Sequence, residues 1–281
     1  VTAFNAAPAE RAAAVVVGAY LRHLRARAGA SLVEIAGVTG RDVSTLSRIE
    51  RGEVTSTGAD IKGLLYRHFD QTIGQAEAVA QLLKATGEQL DDQGEGWRDR
   101  LAVCEQQATD ITAYQATVIP AALRTRSYDK ALTVPDRGFS APDRVSRLQP
   151  KGPRKQSYVA FLDASVLERP VGGPAVMAGQ LGHLLRLMRL GRATVRLVPT
   201  EKGSVTWHGN VSRLVVFGDH LYVHEGLAAR YTIALAGQWL FDPLLSSSVL
   251  AVEKAARLAL SEEETVEALR DAHRRMMQHA R

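Results

Sequence analysis

The chain has one cysteine, Cys104, in 281 residues. It can form no intrachain disulfide and no cysteine metal cluster, and a reducing cytoplasm is its natural compartment. Long apolar runs are also missing, since none approaches the roughly 18 residues needed to span a bilayer. The run Ala12 to Val17 is short and leads into Tyr20, Arg22 and Arg25, so it reads as the start of an amphipathic helix rather than a signal peptide. There is no G-x-S-x-G elbow, no P-loop, no G-x-G-x-x-G after a strand and no internal repeat. No cofactor is implied, and nothing marks an enzyme, although activity in the second half of the chain stays open. The formal charge of +5 permits nucleic-acid binding without demanding it. The length suffices for two domains, each with its own core.

What is present is concentrated in Ser31 to Gly52, SLVEIAGVTGRDVSTLSRIERG. Ser31 is a helix-start residue ahead of Leu32, Ile35 and Ala36, Gly40 supplies a turn, and Asp42 is a second N-cap. The helix it opens would face inward through Leu46 and Ile49. This is the pattern of a helix-turn-helix, whose second helix can enter the DNA major groove. Its exposed face would hold Val43, Ser44, Ser47 and Arg48, with Thr45 at the edge. Arg48 is the best base reader, because guanidinium matches the two acceptors of guanine. Ser44 and Ser47 can reach a base or a phosphate, Val43 can meet a thymine methyl, and Ser31 starts a helix whose N–H groups would face a phosphate. The bland alternative is a helical pair that serves only packing.

Residues 1 to about 12 read as a frayed tail, and five helices are expected between Val15 and about Leu90. Asp91 to Gly96 reads as a linker, and Trp97 to Tyr114 as one helix with Glu105, Ala108, Ile111 and Tyr114 on a face. A long irregular stretch follows, with Pro135, Pro142, Pro150 and Pro153. It holds the most one-sided basic run, Arg124 to Lys155, which is either a solvated linker or a phosphate-tracking arm. Strands are expected at Tyr158–Leu162, Thr194–Val198, Val211–Phe217 and Leu221–His224, the last two around a Gly218-Asp219-His220 turn. Helices are expected at Ala175–Leu190, at Leu244–Leu260 and after Ser261, where Glu264 completes a capping box. The fold class is thus α followed by α+β: a five-helix domain over 1–90, and over 91–281 a small sheet covered by helices.

In that second half His220 and His224 are four apart, beside Asp219 and Glu225. On a strand they would lie about 13 Å apart, too far to share one metal without a bend. Surface histidines of a hairpin are the simpler reading, and no metal site is assigned. Cys104 falls in a helical stripe and reads as buried. Trp207, Tyr222 and Trp239 could line a small-molecule pocket or simply be core.

Leu24-Arg25, the SLVEIA run, Gly40 and STLSRIERG resemble the XRE-type (lambda-repressor-like) helix-turn-helix regulators. The resemblance implies a structural pair between Arg25 and Glu50, which orients helices rather than reading DNA. Most of residues 97 to 225 resembles a domain of unknown function, DUF5753, found behind such motifs in many actinobacterial regulators. The match rests on Trp97, Glu105-x-x-Ala108-x-x-Ile111-x-x-Tyr114, Val118-Ile119-Pro120 and Val171-Gly172-Gly173 leading to Met177, Gln180-Leu181 and His183-Leu184. The segment Pro120-Ala121-Ala122-Leu123-Arg124-Thr125, the broken pair Arg147-Leu148-Gln149 and Asp163-Ala164-Ser165 depart from the usual pattern. The resemblance implies a sequence-specific transcriptional regulator. It would bind double-stranded DNA as a homodimer, under control of a small partner protein or small-molecule effector at the C-terminal domain. The alternative is a family member whose C-terminal domain has been recruited for small-molecule binding or catalysis, with the helix-turn-helix as scaffold.

Overall fold

A computed structural model describes residues 7–132, 156–203, 205, 209–226, 228–234 and 243–280. They divide into two units, Val1–Ala108 with Leu214–Ser246 and Thr109–Arg213 with Ser247–Arg281. Packing therefore does not follow chain order, and the 90/91 position expected as a domain boundary lies inside the first unit.

The first unit is organised by α1 (Pro8–Arg27). Where a tail was expected, Pro8 instead starts this helix, at a position where its missing N–H costs nothing. Nor is α1 amphipathic along its centre: ten consecutive residues, Ala12 to Leu21, are buried, because α3 (Val43–Glu50), α5 (Ile73–Leu82), α6 (Trp97–Gln107), β1 (Leu90–Asp92) and β7 (Ala229–Ile233) all pack against it. A helix covered on every side is apolar all round. The other two helices of the five are α2 (Leu32–Thr39) and α4 (Gly58–His68). Ser31, Asp42, Thr57 and Thr72 cap α2 to α5, each accepting a backbone N–H with its side chain.

The expected linker at Asp91–Gly96 begins as strand. β1 runs antiparallel to β7, with Leu90 opposite Tyr231, and β7 pairs with β6 (Asp219–Glu225). Between β5 (Val211–Val216) and β6 the turn is Phe217-Gly218, so Asp219 and His220, expected in the turn, belong to the strand. The linker reading failed because Asp92 is buried with a partner that sequence does not reveal. Arg100, equally buried, donates to both Asp92 oxygens at 2.6 and 2.8 Å and to the Gly94 and Glu95 carbonyls. With four hydrogen bonds from the guanidinium, the desolvation of both charges is offset.

The second unit holds a parallel ladder, β2 (Asp110–Gln115), β3 (Ser157–Asp163) and β4 (Thr194–Val198), with Tyr114 opposite Phe161 and Phe161 opposite Arg196. The long helix expected to reach Tyr114 ends at Gln107, and Ile111 and Tyr114 lie on β2. Strand β2 is buried on both faces after Asp110, which removes the alternation that betrays a strand. α8 (Pro174–Arg189) turns Met177, Leu181 and Leu184 inward and packs on α10 (Glu262–His279), which opens with the Ser261–Glu264 capping box. α7 (Arg126–Leu132) and α9 (Pro243–Leu258) complete the helices. Gln180 of α8 is fully buried; its side chain donates to Leu123 O at 2.8 Å and accepts from Thr125 N at 2.6 Å. No described helix is long and apolar enough to cross a membrane.

Removing one partner of the Asp92–Arg100 pair strands a buried charge. Asp92→Ala is expected to lower unfolding free energy by about 3–5 kcal/mol, read from urea denaturation of the full chain.

Candidate nucleic-acid interface

The segment from Ser31 to Gly52 folds as α2, a turn and α3. Gly40 ends α2 in the left-handed conformation, with φ of 67°, which a side chain would strain. The chain then extends to Asp42 and re-enters helix, so two eight-residue helices are joined by three residues. Leu46, Ile49 and Glu50 form the buried side of α3; Val43, Ser44 and Arg48 are exposed, and Thr45 and Ser47 are intermediate.

The buried side is held from α1 in three ways. Arg25 forms a two-pronged ion pair with Glu50, with Nε at 2.5 Å from Oε1 and Nη2 at 2.7 Å from Oε2; Nη1 donates to Ala30 O at 2.9 Å. The Glu50 hydrogen bond holds the guanidinium above its ordinary pKa. Two helical turns earlier, a Cβ on Gly18 would clash with Ile49 O, and one on Gly52 would stand 2.9 Å from Val15 Cα. Neither position has room for a side chain, so α1 and the end of α3 meet backbone to backbone. Arg11, near the start of α1, then donates to the Gly52 carbonyl and pairs with Asp219 at 2.5 Å. Arg11 and the two glycines were not singled out from sequence. Their signal is spatial, because Gly18 sits mid-helix and Asp219 lies 208 residues from Arg11.

The outward groups differ in how free they are. Asp42 accepts from Ser44 Oγ at 2.6 Å, Thr45 Oγ1 at 2.6 Å and Thr45 N at 2.7 Å. These bonds, that from Ser44 first, hold the Asp42 carboxyl far below the usual range. Both hydroxyl protons are thereby committed to the cap, leaving oxygen lone pairs to accept. Ser47 accepts from Arg51 Nη1 at 2.7 Å, and Arg51 also grips Glu53 at 2.6 Å. Arg48 is only loosely tied, with Nε 3.7 Å from Glu53, and its side chain is 54 % exposed. Ser31 is occupied by its own capping box: its N–H and hydroxyl donate to Glu34 Oε2 at 2.6 and 2.8 Å. The Glu34 carboxylate, its pKa lowered by the Ser31 amide and then its hydroxyl, stands where a phosphate would approach α2.

Tyr222 is buried in β6, while Trp207, Trp239 and the basic run from Arg137 to Lys155 lie outside the described residues. His220 is exposed and His224 half-buried, and among the described residues no three His, Cys, Asp or Glu are grouped to hold a metal. Cys104 is fully buried, which pushes its thiol pKa up and keeps it from acting as a nucleophile at neutral pH.

A family model described as a helix-turn-helix domain matches residues 16–93, and one described as a domain of unknown function (DUF5753) matches residues 98–271. No curated protein and no solved structure gives a match.

The cap makes a pH prediction. Because the Asp42 pKa is depressed in the folded state, its contribution is fully present above the unfolded value and is lost as pH falls through the folded one. The melting-temperature difference between the wild type and Asp42→Ala should be constant from neutrality to about pH 5. It should shrink below about pH 4, the ordinary aspartate range.

Proposed function

The chain belongs to the DUF5753 family and carries a helix-turn-helix domain ahead of that region, and on this premise we propose that it is a sequence-specific DNA-binding transcriptional regulator. The observation that carries the reading is the two-sided character of α3. Its inner side is fixed by Leu46, Ile49 and the Arg25–Glu50 pair, while its outer side presents Val43, Ser44 and a loosely tied Arg48. A helix clamped from behind, with a loosely held guanidinium in front, suits insertion into the major groove and recognition of guanine.

Within this reading Arg48 is the principal base-reading side chain. Ser44, Thr45 and Ser47 act as hydrogen-bond acceptors or close-contact surface, and Val43 meets a thymine methyl. Ser31 reaches a phosphate only where the Glu34 carboxylate moves aside. Two-fold operators require two recognition helices about one DNA turn apart, so the active form is a homodimer. A partner protein or small ligand at the DUF5753 region would control it by preferring one conformation of that dimer.

Fluorescence anisotropy against genomic fragments, including the region upstream of the protein's own gene, tests the reading. At least one fragment should bind about a thousandfold more tightly than random DNA at physiological salt. On that fragment Arg48→Ala should cost about 1–3 kcal/mol, and on random DNA distinctly less. No preferred fragment at all would contradict the proposal, and an equal loss on both DNAs would make Arg48 a phosphate contact.

A further inference from the structure

Behind α3, in the first unit, lies a cavity of about 340 Å³ walled by Ile35, Leu46, Ile49, Ile61 and Leu64. It is open to the surface on one side, where Val38 and Arg67 are exposed and Gly63 is half-buried. Two features of its wall run against the needs of stability. Gly63, in the middle of α4, has ordinary helical backbone, and a Cβ built on it would meet nothing within 4 Å. Glycine weakens a helix interior relative to alanine, and neither packing nor backbone strain requires it here. Ser56, also on the wall, has a buried Oγ with no hydrogen-bond partner, an arrangement that native cores avoid. Departures from local rules that cluster at one place mark function more often than accident.

The charges around the cavity indicate the ligand. Glu50 is neutralised by Arg25 and Arg41 by Asp60, which leaves Arg67 as the cavity arginine without an ion-pair partner among the described residues. An apolar body inside, with one anionic group at the rim, satisfies both the wall and Arg67.

We propose that this cavity is a binding site for a small apolar carboxylic acid, and that occupancy bears on the recognition helix, whose Leu46 and Ile49 form part of the wall. The consequence for gene control rests on the proposed function; the site itself does not. Calorimetric titration of the full chain without DNA, using phenylacetate, indole-3-acetate and octanoate and the amide of each, tests it. At least one acid should bind one-to-one with Kd below about 1 mM, and its amide about tenfold more weakly. Gly63→Leu should fill the space, keep or raise the melting temperature and abolish binding. Arg67→Gln should bring acid and amide to equal affinity. Hydrogen exchange of the α3 amides should slow when the acid binds.

Failure of all three acids to bind below about 1 mM would overturn the proposal. So would undiminished binding by a folded Gly63→Leu protein. Equal affinity for acid and amide in the wild type would overturn the role of Arg67, and unchanged exchange in α3 would overturn the link to the recognition helix. Each readout is made without DNA, so it fails or succeeds independently of operator binding.

Discussion

Helix α1 crosses the end of α3 so closely that neither Gly18 nor Gly52 has space for a Cβ, and that approach fixes how α3 is held. Two helices meeting backbone to backbone have little freedom to slide, so the outward face of α3 has a fixed direction. The Arg25–Glu50 pair sets rotation at one end of the contact, and Arg11 holds the Gly52 carbonyl at the other. Because Arg11 also reaches Asp219 and α1 packs on β7, residues from the far half of the chain support the same helix. The buried Asp92–Arg100 pair adds a further fastening, with the Arg100 guanidinium 6.0 Å from the Tyr20 ring of α1.

Against that rigid frame, the surface of α2 and α3 is economical with its charges. Asp42, Glu34 and Glu53 are acidic groups on the face that would meet a polyanion, yet each is engaged by neighbours: Asp42 by two hydroxyls, Glu34 by the Ser31 cap and Glu53 by Arg51. These bonds spread negative charge over local donors and leave Arg48, the one cation of α3, only loosely held. Phosphate contacts supply affinity and base contacts specificity, so under the proposed function a face with one loosely held guanidinium would draw its selectivity from a single position. The cavity behind the same helix has the opposite character, since local stability is given up there at Gly63 and Ser56.

Much of this was legible in the sequence because it is local. The caps at Ser31 and Asp42, the turn at Gly40 and the inward pair Leu46 and Ile49 are written in consecutive residues, as are the strand at Thr194–Val198 and the capping box at Ser261. What escaped depends on partners distant in sequence. α1 looked amphipathic because alanine is weakly apolar, and only the elements covering it reveal that Ala12 to Leu21 are all inside. β1 looked like a linker because Asp91 and Asp92 are polar, and Arg100 is what makes Asp92 a core residue. Ile111 and Tyr114 continued a three-residue spacing by coincidence, on a strand buried on both faces. At the interface, the candidate residues could be named from sequence, but their availability could not: Ser44 and Thr45 are committed to Asp42, and Ser31 to Glu34.

The dependence of the helix-turn-helix on the far half of the chain is tested most directly by urea unfolding of residues 1–93 alone beside the full chain, followed by circular dichroism. That piece contains α1 to α5 but lacks α6 and β7, so one side of α1 would face water. The expected result is a broad, weakly cooperative loss of helix, while the full chain unfolds in a sharp transition. A fragment that unfolds cooperatively at the denaturant concentration of the full chain would contradict the claim that α1 is a core shared between the two halves of the sequence.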